Sequence, residues 1–269
     1  MITGWAQGDN VKLREDVRGL CGALLSGLNA ALEEKLFGVY VYGAAAFPDA
    51  VPTGDIDFHV ILREPLNDQD RLAVNDLHAA LAREFPPLGV ELDGYYILLE
   101  EARQTSLPTH QLQTDIVDSS WALHREHIRA GRCIVLRGPD PKEVYPAASW
   151  PELEEALCGE LRYVEEHLGV YPDYCILNLC RLMYTFETHD VVVSKAGAAA
   201  WALDAFPKWR RHIELAMKSY AGQATPEDRE FMLTEMESLC RFACAHIEAS
   251  RSSRGASQPL QPTGEGTRG

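Results

Sequence analysis

Apolar residues recur mostly three and four positions apart at Val11, Leu13, Val17, Leu20, Leu24, Leu28 and Leu32, which predicts a helix over the first segment, to about Phe37. The pattern then changes: residues 39–42 form a short β-rich run ending at Gly43, and residues 56–62 form a second. Prolines and Gly54 mark the stretch between them as turn and loop. A helix is expected over 68–85, with Leu72, Val74, Leu77, Leu81 and Phe85 on its buried side and Pro86-Pro87 as its stop. Strand character resumes over 90–99, helical character over 119–132, and residues 133–136 read as a last strand closed by Gly138-Pro139. That order describes a small mixed sheet with helices packed on it. After Pro151 the strand signal fades except at the link 190–193, and helices are expected over 153–168, 174–188, 194–206, 209–220 and 226–249, with Trp201 and Trp209 in the core of a bundle. The chain therefore divides into a sheet domain over 1–145, a helical domain over 146–249, and a tail over 250–269 rich in Ser, Gly and Pro and expected to be disordered.

Composition narrows the function classes. The 269 residues carry 25 basic and 40 acidic side chains, a net charge of -15, which repels nucleic-acid backbones and suits a cationic partner. No apolar run approaches the roughly 20 residues that span a bilayer. The N-terminus lacks the basic-then-apolar layout of a signal peptide, so a cytoplasmic protein without a membrane or nucleic-acid partner is expected. Seven cysteines, an odd number, suit no disulfide framework. Cys240 and Cys244, with His246 nearby, fall short of the four ligands of a structural zinc site and read as thiols packed as small hydrophobes. The oligomeric state has no sequence signal.

The chemistry concentrates at Tyr42-Gly43-Ala44, followed after ten residues by Asp55-Ile56-Asp57. Two residues apart on a strand, Asp55 and Asp57 point to one face. Side-by-side carboxylates repel, and a divalent cation that bridges to nucleotide phosphates is the usual remedy. Gly43 ends the first strand, and its missing side chain lets backbone N–H groups approach phosphate oxygens. A third carboxylate is needed as base or metal ligand, and the third strand offers Glu91 and Asp93 on one face.

The Gly-Ala and Asp-Ile-Asp-Phe layout resembles the nucleotidyltransferase signature of the DNA polymerase β superfamily. The run from Tyr174 to Thr188, with Arg181 inside an apolar stretch, and the run from Val192 through Lys195 and Trp201 resemble the C-terminal helical domain of aminoglycoside adenylyltransferases of the streptomycin/spectinomycin type. Residues 134–140 resemble the linker strand of that family, and the likeness extends from about Tyr40 to Tyr220. It implies an α+β polymerase β-like nucleotidyltransferase domain followed by an all-α domain. It implies a reaction in which AMP passes from ATP to a hydroxyl of an aminoglycoside with release of pyrophosphate. Carried over, Asp55 and Asp57 would hold Mg²⁺, and Asp93, with Glu91 as fallback, would be the base. Gly43, Ala44, Arg181, Lys195 and Tyr220 would bind the nucleotide, and Asp173 would contact the cationic acceptor.

Two departures bear on this reading. The family carries Ser where this chain has Ala44, and often Ser where it has Gly54; each hydroxyl lost to the phosphates costs about 0.5–1.5 kcal/mol. The segment 100–118 is shorter than in the streptomycin-modifying members and has no match for their acceptor-contacting tryptophan, Trp121 falling in the next helix. The alternatives are a protein or other small-molecule hydroxyl as acceptor, or a nucleotide-binding homologue that has lost catalysis.

Overall fold

The computed structural model describes residues 6–7, 15–47 and 55–255. Its sheet comprises β1 (Ala6–Gln7), β2 (Leu36–Val41), β3 (Ile56–Leu62), β4 (Leu92–Leu98) and β5 (Ile134–Arg137), in the order β1-β5-β2-β3-β4. Only β3 and β4 run parallel; the other neighbours are antiparallel. Helix α1 (Glu15–Leu32) ends earlier than its periodicity suggests. A 3₁₀ turn at Glu33–Lys35 follows, and β2 already begins at Leu36, so Phe37 belongs to the sheet.

The alternation along β3 sorts its side chains to two faces. Ile56, Phe58, Val60 and Leu62 enter a core with Leu20, Leu24 and Leu28 of α1 and with Val74 and Leu81 of α2 (Asp68–Glu84). Leu72 does not join them: it is 66% exposed, because two residues from Val74 it lies on nearly the opposite side of the helix. The other face of the sheet, through Tyr40, Tyr42, Ile61 and Ile97, packs on Trp121 and Ile128 of α4 (Trp121–Arg129) and on Tyr145. Two one-turn helices, α3 (Leu99–Ala102) and α5 (Pro141–Val144), complete this unit.

The remainder is helical: α6 (Trp150–His167), α7 (Pro172–Thr188), α8 (Lys195–Ala205), α9 (Arg210–Tyr220), α10 (Pro226–Leu233) and α11 (Met236–Gly255). Residues 190–193 form no strand. The helix expected over 226–249 is two, broken where Glu235 takes a left-handed φ of 58°. The last helix continues to Gly255, past the expected end at Ala249, and the rest of the predicted tail, 256–269, lies outside the described residues. Trp209 is buried in this bundle and Trp201 packs at its margin. All seven cysteines are free. Cys240, Cys244 and Glu165 bring their donor atoms within 4.8 Å of one another, while His246 turns instead to Glu187 at 2.9 Å. No described helix is long and apolar enough to cross a membrane.

Helix α4 joins the two units. Trp121 and Ile128 belong to the core under the sheet, whereas Ala122 and Leu123 belong to the core of the bundle. From the same helix the fully buried Arg125 donates to Glu152 Oε1 of α6 at 2.5 Å, and His127 Nε2 lies 2.7 Å from the Val191 carbonyl.

Candidate active site

A cavity of about 330 Å³ opens where the ends of β2 and β3 face α4, α6, α7 and α8. Asp55 and Asp57 line it on the sheet side; Glu160, Arg181, Lys195 and Tyr220 line it on the helical side. The parallel register sets Asp57 beside Asp93. Asp55 and Asp93 are exposed and Asp57 is half-buried. Burial above all pushes the Asp57 carboxyl up to about 7; His124 opposes this, and the charges of Asp93 and Asp55 add to it. Asp93 is raised as well, by partial withdrawal from water and then by Asp55. Asp57 and Asp93, beside each other in the register, and Asp55 two residues before Asp57 offer carboxylate oxygens, the donor type that suits a hard divalent cation such as Mg²⁺.

Glu91 stands apart from this group. The strand begins at Leu92, so Glu91 sits in the preceding turn, exposed, where its carbonyl accepts from the Ile56 N–H at 2.8 Å. The expected sharing of a strand face with Asp93 is not realised.

Gly43 opens a 3₁₀ turn with φ of 65°, and a β-carbon there would stand 1.7 Å from Asp57 Oδ2. Glycine is therefore the residue that lets the Asp57 carboxylate lie against the turn. Ala44 lines the cavity beside it; Gly54 lies outside the described residues.

On the helical side, Arg181 projects from α7 and lies 3.8 Å from Glu160 of α6, the anion that its position within an apolar stretch called for. Lys195 is the first residue of α8, whose N-cap Ser194 accepts from the Gly197 N–H at 2.8 Å. Its ammonium lies 4.5 Å from the centre of the Tyr174 ring and 5.2 Å from that of Tyr220. Burial, and then the charge of Arg181, lower Lys195 to about 8. Ser194, Lys195 and Ala196 all line the cavity, so the N-terminal end of α8 faces it with partial positive charge. Two cations and a helix N-terminus thus stand across the cavity from Asp55 and Asp57, an arrangement whose two walls suit an anion and a cation respectively.

Asp173 is not brought into the cavity. It occupies the first turn of α7, where its Oδ2 accepts from Ser219 Oγ at 2.7 Å and its Oδ1 from the Tyr174 N–H at 2.9 Å. Its carboxylate ties α7 to α9 and favours the helix N-terminus, which accounts for an acid at that place without an acceptor.

Several residues on the cavity have no counterpart in the sequence reading. His124 lines it, with Nδ1 2.8 Å from Asp118 Oδ2 and 3.2 Å from the Tyr42 hydroxyl. Burial opposes charge on the imidazole, but Asp118 and then Asp57 raise it above its ordinary range. Asp118, though buried, is held below the usual carboxylate range by His124. Ser120 donates to Glu160 Oε1 at 2.5 Å, across the two units. Beneath them His59, fully buried and two residues beyond Asp57, has Nδ1 3.2 Å from the Tyr145 hydroxyl, and burial lowers it to about 3. The two-residue period places His59 on the Asp57 face of β3, a signal that could have found it; Asp118, His124 and Glu160 carry no such local mark.

Residues 143–246 match the sequence model described as "Aminoglycoside adenylyltransferase, C-terminal domain". The chain is 24% identical over 222 residues to the spectinomycin 9-adenylyltransferase of Enterococcus faecalis, covering 73% of this chain and 84% of that protein. It is 22% identical over 252 residues to the enzyme of the same name from Campylobacter jejuni, covering 81% and 95%. The fold is shared with the crystal structure of an enterococcal spectinomycin adenyltransferase with ATP and spectinomycin, at a TM-score of 0.65 and 18% identity over 83% of this chain and 99% of that one.

Proposed function

We propose that this chain, whose residues 143–246 match the C-terminal domain of aminoglycoside adenylyltransferases, transfers AMP from Mg·ATP to a hydroxyl of an aminoglycoside-type antibiotic, releasing pyrophosphate. The observation that carries this reading is the pairing of Asp55 and Asp57 at one wall of a cavity whose other wall presents Arg181 and Lys195, with Asp93 beside Asp57 on the neighbouring strand.

Asp55 and Asp57 would hold Mg²⁺, whose charge would offset that of the phosphates. Asp93, raised by its surroundings, accepts the proton of the acceptor hydroxyl as that oxygen attacks the α-phosphorus in line. Arg181 and Lys195 fix the triphosphate and compensate the charge that leaves with pyrophosphate. The turn at Gly43 and Ala44 supplies backbone N–H groups at the phosphates. Spectinomycin, named in its relatives, is the first acceptor to test. The sheet domain over 1–145 and the helical domain over 146–249 would close on the two substrates from opposite sides.

The test is pyrophosphate release from ATP and Mg²⁺ with spectinomycin, streptomycin and other aminoglycosides. Turnover with one of them, lost in Asp57→Asn, is the expected result. An ATP-binding protein silent with every drug would refute the acceptor class.

A further inference from the structure

On that reading of the site, we infer that His124, clamped by Asp118, is a further catalytic residue whose Nε2–H donates to a non-bridging oxygen of the phosphoryl group being transferred. One ring nitrogen is fixed from two elements. Asp118 Oδ2 takes Nδ1 at 2.8 Å, and the Tyr42 hydroxyl at the end of β2 stands 3.2 Å from the same atom. Asp118 is itself held, since its Oδ1 accepts from the Ser120 N–H at 2.9 Å and its side chain is only 3% exposed. The opposite ring nitrogen, Nε2, has no hydrogen-bond partner among the described residues. His124 nevertheless lines the cavity, with 26% of its side chain open to solvent.

Packing does not call for this arrangement. A buried ion pair returns little more than the desolvation it costs, and an apolar pair of similar volume would serve a purely structural role as well. What the pair adds is a donor of fixed direction. The Asp118 carboxylate takes the Nδ1–H and favours the imidazolium, the form in which Nε2, on the far side of the ring, also carries a hydrogen; an aspartate fixes the direction of a catalytic histidine in the same way. The wall on which it does so is that of Asp57, whose charge acts on His124 and is acted on by it.

The step balances without proton transfer from the histidine. The acceptor O–H bond breaks and its proton goes to Asp93. The acceptor oxygen bonds to the α-phosphorus as the bond from that phosphorus to the β-phosphate bridging oxygen breaks, and the electron pair leaves with pyrophosphate. His124 keeps its proton and strengthens its hydrogen bond as charge builds on the phosphoryl oxygen. A preorganised donor of this kind is worth about 10²–10³ in turnover.

The test compares wild type, His124→Ala, His124→Gln and Asp118→Asn in pyrophosphate release with ATP, Mg²⁺ and spectinomycin, or whichever drug of the panel the wild type turns over. ATP affinity is measured by calorimetry and folding by thermal melting. We expect His124→Ala to lower kcat by about 10²–10³ with the ATP Kd within about threefold of wild type. Glutamine, whose amide N–H can stand near Nε2, should recover at least about tenfold of that loss, and Asp118→Asn should fall between. The inference is overturned by an active wild type whose His124→Ala variant keeps kcat within about threefold. It is overturned equally by loss confined to ATP affinity, which marks a ground-state contact, or by alanine and glutamine variants that lose activity and melting temperature alike, which marks packing. Silence of the wild type with every drug would remove the transferase reading and this inference together; an inactive histidine variant of an active enzyme separates the two.

Discussion

At φ of 65°, with Asp57 Oδ2 only 1.7 Å from where a β-carbon would stand, Gly43 opposes substitution twice, through its backbone and through its neighbour. Gly222, with φ of 70° and nothing within 4 Å, carries the backbone penalty alone. Backbone strain should cost each alanine variant about 1–3 kcal/mol, Gly43→Ala should cost more than Gly222→Ala by the displacement of Asp57, and only the former should lose pyrophosphate release. Equal melting temperatures for the two variants would contradict this. Next along the chain, Ala44→Ser restores the hydroxyl that the family places at the phosphates. An ATP Kd lower by about twofold to tenfold is expected by calorimetry, and no change would mean that backbone N–H groups already saturate those oxygens. Lys195 sets a pH dependence. Burial and then Arg181 disfavour charge on its ammonium and lower it to about 8. A triphosphate favours the charged form and so binds with uptake of a proton above that pH. ATP affinity should fall as pH rises beyond about 8, by up to roughly tenfold per unit, and Lys195→Arg, which stays charged, should flatten the curve.

At the scale of elements, α4 shows what periodicity conveys and what it leaves out. Its existence is legible, but Trp121, Ala122, Leu123, Arg125, His127 and Ile128 are all buried, which is more than one face of a helix. A residue pattern reports that a side chain is apolar, not which of two cores receives it, so the boundary drawn near residue 145 does not reveal the helix shared across it. Leu72 and the break at Glu235 fail for related reasons. The first is an apolar residue counted onto a face that geometry denies it, and the second is a turn with no glycine or proline to announce it. The Arg125–Glu152 pair makes the sharing of α4 testable. Arg125 is fully buried while Glu152 keeps some solvent, so Glu152→Ala leaves a guanidinium in the core without its partner. The loss should be about 3 kcal/mol in chemical denaturation, and Arg125→Met in the same background should recover most of it, because the unpaired charge is then gone. A double variant no more stable than Glu152→Ala would show that the pair acts through something other than burial of charge.

For the molecule as a whole, the parts of the candidate site that were legible are those whose spacing is local or whose charge interrupts an apolar run: Asp55 and Asp57 two apart, Gly43 at a strand end, Arg181 within α7. The His124–Asp118 pair and Glu160 were not, because only the packing of α4 and α6 against the strand ends brings them to the cavity. Net charge is the global property that sequence states fully, and it acts on the two proposed substrates in opposite directions. A chain of net charge -15 attracts a cationic drug and repels Mg·ATP, whose binding depends on the local cations Arg181 and Lys195. Long-range terms of this kind are screened once the Debye length falls from about 10 Å at 0.1 M salt toward about 3 Å at 1 M, whereas contacts within the cavity are screened much less. Raising sodium chloride from about 0.05 to about 0.5 M should thus lower kcat/KM for the cationic acceptor severalfold and leave that for Mg·ATP unchanged or higher. The two responses, measured on one enzyme in one buffer series, discriminate directly. A fall of equal size for both substrates would mean that salt acts on the catalytic step or on Arg181 and Lys195, and that the acidic surface has no part in gathering the acceptor.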